Sequence, residues 1–330
     1  MNRLSIGIFG AGALGSLVGA YLSPSHDVTL YTRPAHAEAI QRDGLKIMGI
    51  NGEETFSVRA VSQLDNDHFD LGMIGVKAYA TEDLFADLQR QGVTSQYVAS
   101  LQNGLKDEFL RERLGSSLVL GCVVNEAARL VQPGVVEYTN GGCSYFGTLD
   151  CHDLVQHSPK LDVAEALAVS LHQKGLKAGV HDYMDHLTWY KFMTCVAGFS
   201  VAGALDLGAR EMFTNQPALD LLTKVIDEIK AVAVHREIPL DHHDLLPSFF
   251  LANGSLRMEM LENIGTRLVS LGRSPVPSLV EDLRAGKTET EVDHTVGRLV
   301  VEARKYDLHV PTIQRCYESI KARESANQDR

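Results

Sequence analysis

Leu4-Ser5-Ile6-Gly7-Ile8-Phe9 runs without a break into Gly10-Ala11-Gly12-Ala13-Leu14-Gly15, and apolar residues then recur at Leu14, Leu17, Val18, Tyr21 and Leu22. A short apolar run, G-x-G-x-x-G and an apolar helix stand here in the one order in which the glycine motif carries meaning. Gly10 allows the tight turn. Gly12 lets the backbone approach a pyrophosphate whose charge sits on the N-terminal end of the helix, and Gly15 lets helix and strand pack closely. With a second strand at Asp27 to Tyr31, the stretch reads as the opening of a dinucleotide-binding α/β domain. Gly10, Ala11, Gly12, Ala13, Leu14 and Gly15 are its expected contacts to the cofactor.

Working outward, the second strand ends Val28-Thr29-Leu30-Tyr31-Thr32-Arg33-Pro34. An NAD enzyme carries Asp or Glu about twenty residues past the glycines, for the ribose 2'-hydroxyl. This chain carries Arg33, whose guanidinium suits the 2'-phosphate of NADP through paired hydrogen bonds; a solvated loop arginine is the plainer alternative. Leu45 to Ile50 and Thr55 to Ala60 read as a hairpin closed by Asn51-Gly52. Asp70 to Val76 reads as a buried parallel strand ending at Lys77, and Tyr97 to Leu101 as another running into Gln102-Asn103-Gly104. Ligands of open parallel sheets bind outside the carboxyl ends of the strands, so Gly10, Arg33, Lys77 and Asn103 are expected on one rim. Leu118 to Asn125, Gly134 to Tyr138 and Cys143 to Gly147 read as antiparallel strands finishing that sheet.

Composition narrows the field. The 330 residues suffice for two domains, and 45% hydrophobic with 22% charged residues is ordinary for a globular protein. A net charge of -11 and a pI of about 5.6 argue against a broad basic surface for nucleic acid or anionic lipid. No apolar stretch reaches the roughly 18 residues of a membrane span. A cofactor turn starting at residue 10 leaves no room for a signal peptide, so a cytoplasmic location is expected. The five cysteines, Cys122, Cys143, Cys151, Cys195 and Cys316, include no C-x-x-C pair, which points to reduced thiols and away from zinc. None of the 13 histidines stands in ligand spacing, and no metal is expected.

From about His181 the strand signals vanish and helical patterns take over: Asp185 to Leu205, Pro217 to Arg236, a stretch near Leu245 to Leu271, Ser278 to Arg284, and Glu289 to Tyr306. The chain therefore reads as an α/β Rossmann-type N-terminal domain, residues 1–180, followed by an all-α C-terminal domain, residues 181–330. In the first of those helices Trp189, Tyr190, Phe192, Met193, Val196 and Phe199 surround Lys191 with apolar bulk. Such a lysine either snorkels to water or is a partly desolvated ammonium able to donate a proton. Glu291, in Thr288-Glu289-Thr290-Glu291-Val292-Asp293, is either part of a charged helix N-terminus or a second functional group.

Taken in order, Gly10 to Gly15, Arg33, Val76-Lys77-Ala78, Gln102-Asn103-Gly104, Trp189-Tyr190-Lys191, Glu281-Asp282-Leu283-Arg284 and Thr290-Glu291-Val292-Asp293 resemble the pattern of ketopantoate reductases (2-dehydropantoate 2-reductases). The likeness extends from about Ser5 to Ile320. It implies a Rossmann domain, a helical domain, an active site in the cleft, and NADPH-dependent reduction of a 2-oxo acid to a 2-hydroxy acid, in that family a step of pantothenate biosynthesis. It also implies Lys191 as general acid, Glu291 assisting the active site, Lys77 beside the cofactor, Asn103 orienting nicotinamide and substrate, and Ser278 holding substrate. The chemistry agrees, because hydride addition to a ketone leaves an oxyanion that one ammonium can both stabilise and protonate.

The chain also departs from that family. Where asparagines commonly follow the lysine four and eight residues on, it has Cys195 and Phe199, and Pro275-Val276-Pro277-Ser278 replaces the usual consecutive serines. One extra residue also separates Asp282 from Glu291. These changes fall where substrate would lie. The leading expectation is reduction of 2-dehydropantoate (ketopantoate) to pantoate, with a more apolar 2-oxo acid as the alternative substrate; in a different class stands a non-catalytic NADPH-binding sensor, for which loss of Lys191 or Glu291 would be expected, whereas both are present. The expected partner is a small-molecule 2-oxo acid, with neither nucleic acid nor membrane; a homodimer is compatible with a sequence that leaves oligomeric state open.

Overall fold

The computed structural model describes residues 3–149 and 158–328. The chain divides into two compact units, Met1–Gln102 with Lys106–Thr188 and Asn103–Leu105 with Trp189–Arg330.

In the first unit the elements follow as β1 (Ser5–Phe9), α1 (Ala13–Leu22), β2 (Asp27–Tyr31), α2 (Pro34–Asp43), β3 (Leu45–Gly49), β4 (Gly52–Phe56), β5 (Arg59–Val61), β6 (His68–Ile74), α3 (Thr81–Arg90), β7 (Thr94–Ser100), α4 (Lys106–Leu114), β8 (Gly121–Val123), β9 (Ala127–Gln132), β10 (Val135–Asn140), β11 (Cys143–Gly147), α5 (Pro159–Gln173) and β12 (Lys177–Val180). Five strands form a parallel sheet in the order β5-β2-β1-β6-β7. Its centre is apolar, with Ile6, Ile8, Leu30, Leu71 and Met73 fully buried, as a sheet covered on both faces requires. The order in which strands are added reverses at β1, with β2 on one side and β6 on the other, which is the switch point where such sheets bind ligands.

Two expectations are corrected. The later strands do not finish that sheet: β4-β3-β10-β9 form a second sheet and β12-β11-β8 a third. The reason lies in α1, whose residues from Gly15 to Leu22 are all buried. A helix apolar on every side needs cover on every side, and the second sheet supplies it. The Tyr21 ring lies 5.5 Å from Phe56 of β4 and 6.5 Å from Tyr138 of β10. The hairpin is also shorter than expected. Its second arm ends at Phe56, and Arg59–Val61 leaves it to pair in parallel with β2.

The second unit holds α6 (Met184–Leu205, whose first residues belong to the first unit), α7 (Ala209–Thr214), α8 (Gln216–His235), α9 (Gly254–Ser270), α10 (Ser278–Arg284), α11 (Val296–Lys305) and α12 (Pro311–Gln328). Helix α8 starts where Asn215 Oδ1 accepts the Ala218 N–H at 3.1 Å, an ordinary side-chain cap just ahead of Pro217. The helix expected from Glu289 begins only at Val296. Thr290 and Thr295 side chains take the local hydrogen bonds first: Thr290 Oγ1 accepts from Val292 N at 3.2 Å, and Thr295 Oγ1 donates to the Glu291 carbonyl at 2.7 Å. Such competition holds the segment in turns. Among the described residues no helix is long and apolar enough to cross a membrane, and no cluster suited to a metal ion occurs. Cys122, Cys143, Cys195 and Cys316 form no disulfide; Cys151 lies outside the described residues.

Candidate functional site

The glycine turn joins β1 to α1. Gly10 has φ +84°, and a Cβ there would run into Val76, 2.8 Å from its backbone nitrogen and closer still to its side chain. Only glycine fits. The N–H groups of Gly10 and Ala11 both donate to the Tyr31 carbonyl at 2.9 Å, which ties the turn to the end of β2. Gly12 is different: nothing lies within 4 Å of where its Cβ would stand, and the residue is exposed. Gly15 closes against Ile8 Cγ2 at 3.0 Å. Helix α1 begins at Ala13 with Gly12 as its N-cap and no side-chain cap. The turn thus combines open space at Gly12 with first-turn N–H groups and the positive end of a helix dipole, which together fit a diphosphate.

Arg33 and Lys77 follow the carboxyl ends of β2 and β6, the strands flanking β1. Arg33 is exposed and is the N-cap of α2, with Pro34 behind it. Thr32 just before it donates through Oγ1 to the Ala11 carbonyl at 2.9 Å, so the segment leading to Arg33 is fastened to the glycine turn. Lys77 is half-buried and precedes a single 3-10 turn, Ala78–Ala80. Gln102, whose role the sequence does not disclose, ties the ends of β6 and β7 together. Buried Gln102 donates to the Val76 carbonyl at 2.9 Å and to Thr81 Oγ1 at 2.7 Å, while its amide oxygen accepts from Ser100 Oγ at 3.0 Å. Its place directly after a strand was the available signal.

The remaining candidates gather in the second unit. Lys191 stands on α6 among fully buried Phe192, Met193 and Val196, and is itself half-buried. The helix is pinned from outside, as Tyr190 Oη donates to the Pro239 carbonyl at 2.7 Å and Thr194 Oγ1 to the Leu245 carbonyl at 3.3 Å. One turn past Lys191, the Cys195 thiol donates to Asn103 Oδ1 at 3.7 Å. Burial pushes that thiol up from its ordinary value; the Lys191 ammonium opposes the rise and the Glu291 carboxylate adds to it. Lys191, Cys195 and Glu291 therefore share one electrostatic neighbourhood, with Asn103 in contact.

Glu291 is buried, at 4% exposure. Its turn is anchored by Glu324 of α12, whose Oε1 accepts from both Thr290 N and Thr290 Oγ1 at 2.7 Å. Gly104 lies against the same turn: with φ +92°, a Cβ there would meet the His294 carbonyl at 2.6 Å. Asn103 is so held between the Glu291 turn and Cys195. Phe199 is buried on α6 a further turn on, and a further turn again Gly203 receives Leu279, whose Cδ2 would stand 2.9 Å from a Cβ at that glycine. That contact brings the start of α10, where Ser278 lies half-buried, against α6 beyond Phe199. Gly203, which Leu279 of α10 meets, stands roughly three turns or about 18 Å beyond Lys191 along the axis of α6.

The chain matches the family described as "Ketopantoate reductase PanE/ApbA" over residues 6–150, and "Ketopantoate reductase PanE/ApbA C terminal" over residues 183–324. The 2-dehydropantoate 2-reductase of Pyrococcus horikoshii is 27% identical over 323 residues, 98% of each chain. Among solved structures, the 2-dehydropantoate 2-reductase of Geobacter metallireducens is similar with a TM-score of 0.79 at 22% identity, covering 96% of this chain and 99% of that one. D-mandelate dehydrogenase with NADH and anilino(oxo)acetate is similar with a TM-score of 0.78 at 22% identity, covering 98% and 99%. At such identities the two structures speak for the fold alone.

Proposed function

The chain belongs to the ketopantoate reductase family, and from that premise we propose that it reduces 2-oxo acids to 2-hydroxy acids with NADPH, 2-dehydropantoate being the first substrate to test. The observation that carries the reading is the gathering of Lys191, Cys195 and Glu291 in one electrostatic neighbourhood with Asn103 in contact. A nicotinamide cofactor supplies the hydride. The glycine turn and the dipole of α1 hold its diphosphate, and Arg33 takes the 2'-phosphate where a carboxylate would favour NAD.

Reduction turns the ketone oxygen into an alkoxide that needs one proton. Lys191 stabilises that developing charge and passes its proton from Nζ to the oxygen. The apolar residues around Lys191 strengthen the effect by keeping water away. Glu291 balances the ammonium inside this apolar surrounding. Asn103 turns Oδ1 toward the Cys195 thiol, which leaves its amide N–H groups to orient the substrate.

A narrower substrate reading is favoured by Cys195 and Phe199, which line the face of α6 beyond Lys191 with a thiol and a buried ring. A substrate hydroxyl placed there meets no strong partner, so 2-oxo acids with apolar side chains are reduced at least as well as 2-dehydropantoate. The deciding experiment is NADPH and NADH oxidation measured against a panel of 2-oxo acids that includes 2-dehydropantoate. Turnover of none, with NADPH still bound, overturns the reductase reading in favour of a binding protein. A preference of tenfold or more for 2-dehydropantoate overturns only the apolar one.

A further inference from the structure

A chain of buried hydrogen bonds leads from the β9–β10 turn to the glycine turn. The Gly134 N–H donates to His36 Nδ1 at 2.9 Å. His36 Nε2 lies 3.0 Å from Ser16 Oγ, and Ser16 Oγ donates to the Ala11 carbonyl at 3.2 Å. A backbone N–H can only donate, so Nδ1 must be the acceptor and the proton of the neutral imidazole sits on Nε2. His36 then donates to Ser16, which frees the Ser16 hydroxyl hydrogen for Ala11. Every member is buried: His36 at 4%, Ser16 and Ala11 at 0%.

The end of this chain is the turn itself. The Ala11 carbonyl accepts from Ser16 and Thr32, the Gly10 carbonyl from Gly12 N at 2.7 Å, and the Gly12 carbonyl from Ser16 N at 2.9 Å. All three carbonyl oxygens of Gly10-Ala11-Gly12 are thereby engaged within the protein. A carbonyl rotated outward at this place would oppose an anionic ligand, whereas an N–H attracts it. His36 also occupies the first turn of α2, the helix that Arg33 caps, with its N–H donating to the Arg33 carbonyl at 3.0 Å.

We propose that His36 is a positioning residue for the cofactor: its Nε2–H orients the Ser16 hydroxyl, which keeps the Ala11 carbonyl turned inward, so that the turn meets a dinucleotide diphosphate with N–H groups alone. This rests on the reading of the turn as a dinucleotide site. The two sides of the imidazole can be cut separately. Glutamine places an amide N–H where Nε2 was and loses the acceptor for Gly134; asparagine keeps an acceptor near Nδ1 and cannot reach Ser16.

NADPH affinity, turnover at saturating NADPH and thermal stability are measured on the full chain. His36→Ala and His36→Asn are expected to weaken NADPH binding about tenfold, with turnover at saturation little changed, and His36→Gln is expected to restore most of the affinity. All three lose stability, so a merely structural role would make affinity follow stability across the series. Equal affinity in the Asn and Gln variants, or native affinity in the Asn variant, overturns the inference. Should the His36 variants not fold, Ser16→Ala removes the same link by one hydroxyl: a loss of about tenfold supports the inference and native affinity overturns it. A native protein that binds neither NADPH nor NADH overturns the cofactor reading itself, a result distinct from variants that bind as the native protein does.

Discussion

On the function proposed above, the glycine turn of the first unit and the Lys191 face of the second each meet an anionic ligand, and they are built from opposite materials. At the turn the ligand groups are backbone N–H donors, and the side chains matter chiefly by being absent. At Lys191 the groups are side chains drawn from three separated segments, Asn103, the 191–199 stretch of α6 and the Glu291 turn, and the backbone serves to hold them. A site made of backbone tolerates no change of shape, while a site made of side chains can keep its shape and change its chemistry. Cys195 and Phe199 stand on the second kind of site, in a chain whose glycine motif keeps all three of its glycines.

The largest effect is expected at Lys191. Lys191→Ala should lower turnover about a hundredfold or more and leave NADPH affinity nearly unchanged, as single-turnover kinetics and direct binding would read. A variant that keeps most of its turnover returns Lys191 to a snorkelling role and dissolves the contrast between the two regions.

Arg33 is the exception at the backbone site, a side chain proposed above to set cofactor choice. Arg33→Asp should remove roughly 1.5 to 3 kcal/mol of NADPH binding and weaken or reverse the preference over NADH. Equal efficiency with both cofactors in the unmutated protein would sink the assignment.

Two glycines of one motif sharpen the comparison from within. Gly10→Ala meets a positive φ and the Val76 backbone, and should destabilise the fold by about 2 kcal/mol in chemical denaturation. Gly12→Ala meets nothing in the protein, so stability should hold while NADPH affinity falls. If the two substitutions behave alike, the space at Gly12 is not where the diphosphate approaches.

Cys195→Asn should change chemistry without changing shape. The ratio of kcat/KM for 2-dehydropantoate to that for an apolar 2-oxo acid should rise by up to about tenfold. An unchanged ratio would mean that other groups already satisfy the substrate hydroxyl.

The smallest effect concerns acid. Burial lowers both His26 and His36 below the ordinary imidazole value; His26 shares a bond of 2.9 Å with Ser170. In the unfolded chain these imidazoles take up protons as pH falls below about 6.5, and in the folded chain they resist. Stability should therefore be level above neutrality and decline from about pH 6.5 downward. Denaturation at pH 7.5 and 5.5 would show it, and His36→Gln should flatten the decline.

Much of this was legible in the residues. The strand, turn and helix around Gly10 are contiguous in the chain and need only local geometry, so their reading held, as did the helical character of the C-terminal half. Helices α6 and α8 lie within one residue of the expected limits and α10 matches them, because their apolar periodicity and caps are local as well. Elements that depend on distant partners were misread or passed over. Arg59–Val61 looks like the tail of a hairpin until β2 is beside it, and α5, α7 and α12 lack a pattern strong enough to stand without their neighbours. Gln102, Ser16, His36 and Glu324 drew no role from the sequence, since a polar residue shows its purpose only when its partner is known.

The sequence by itself determined the βαβ opening, the glycines that no other residue can replace and the helical second half, because short-range sterics and periodic apolar burial decide those wherever the chain lies. Only the tertiary structure decided that α1 would be covered by a second sheet, that Asn103 would meet Cys195, and that Lys191 and Glu291, a hundred residues apart in sequence, would act on the same thiol. Hydrogen bonds and fields between side chains fall off over a few ångströms, and residues distant along the chain come within that range only after the core has closed around them.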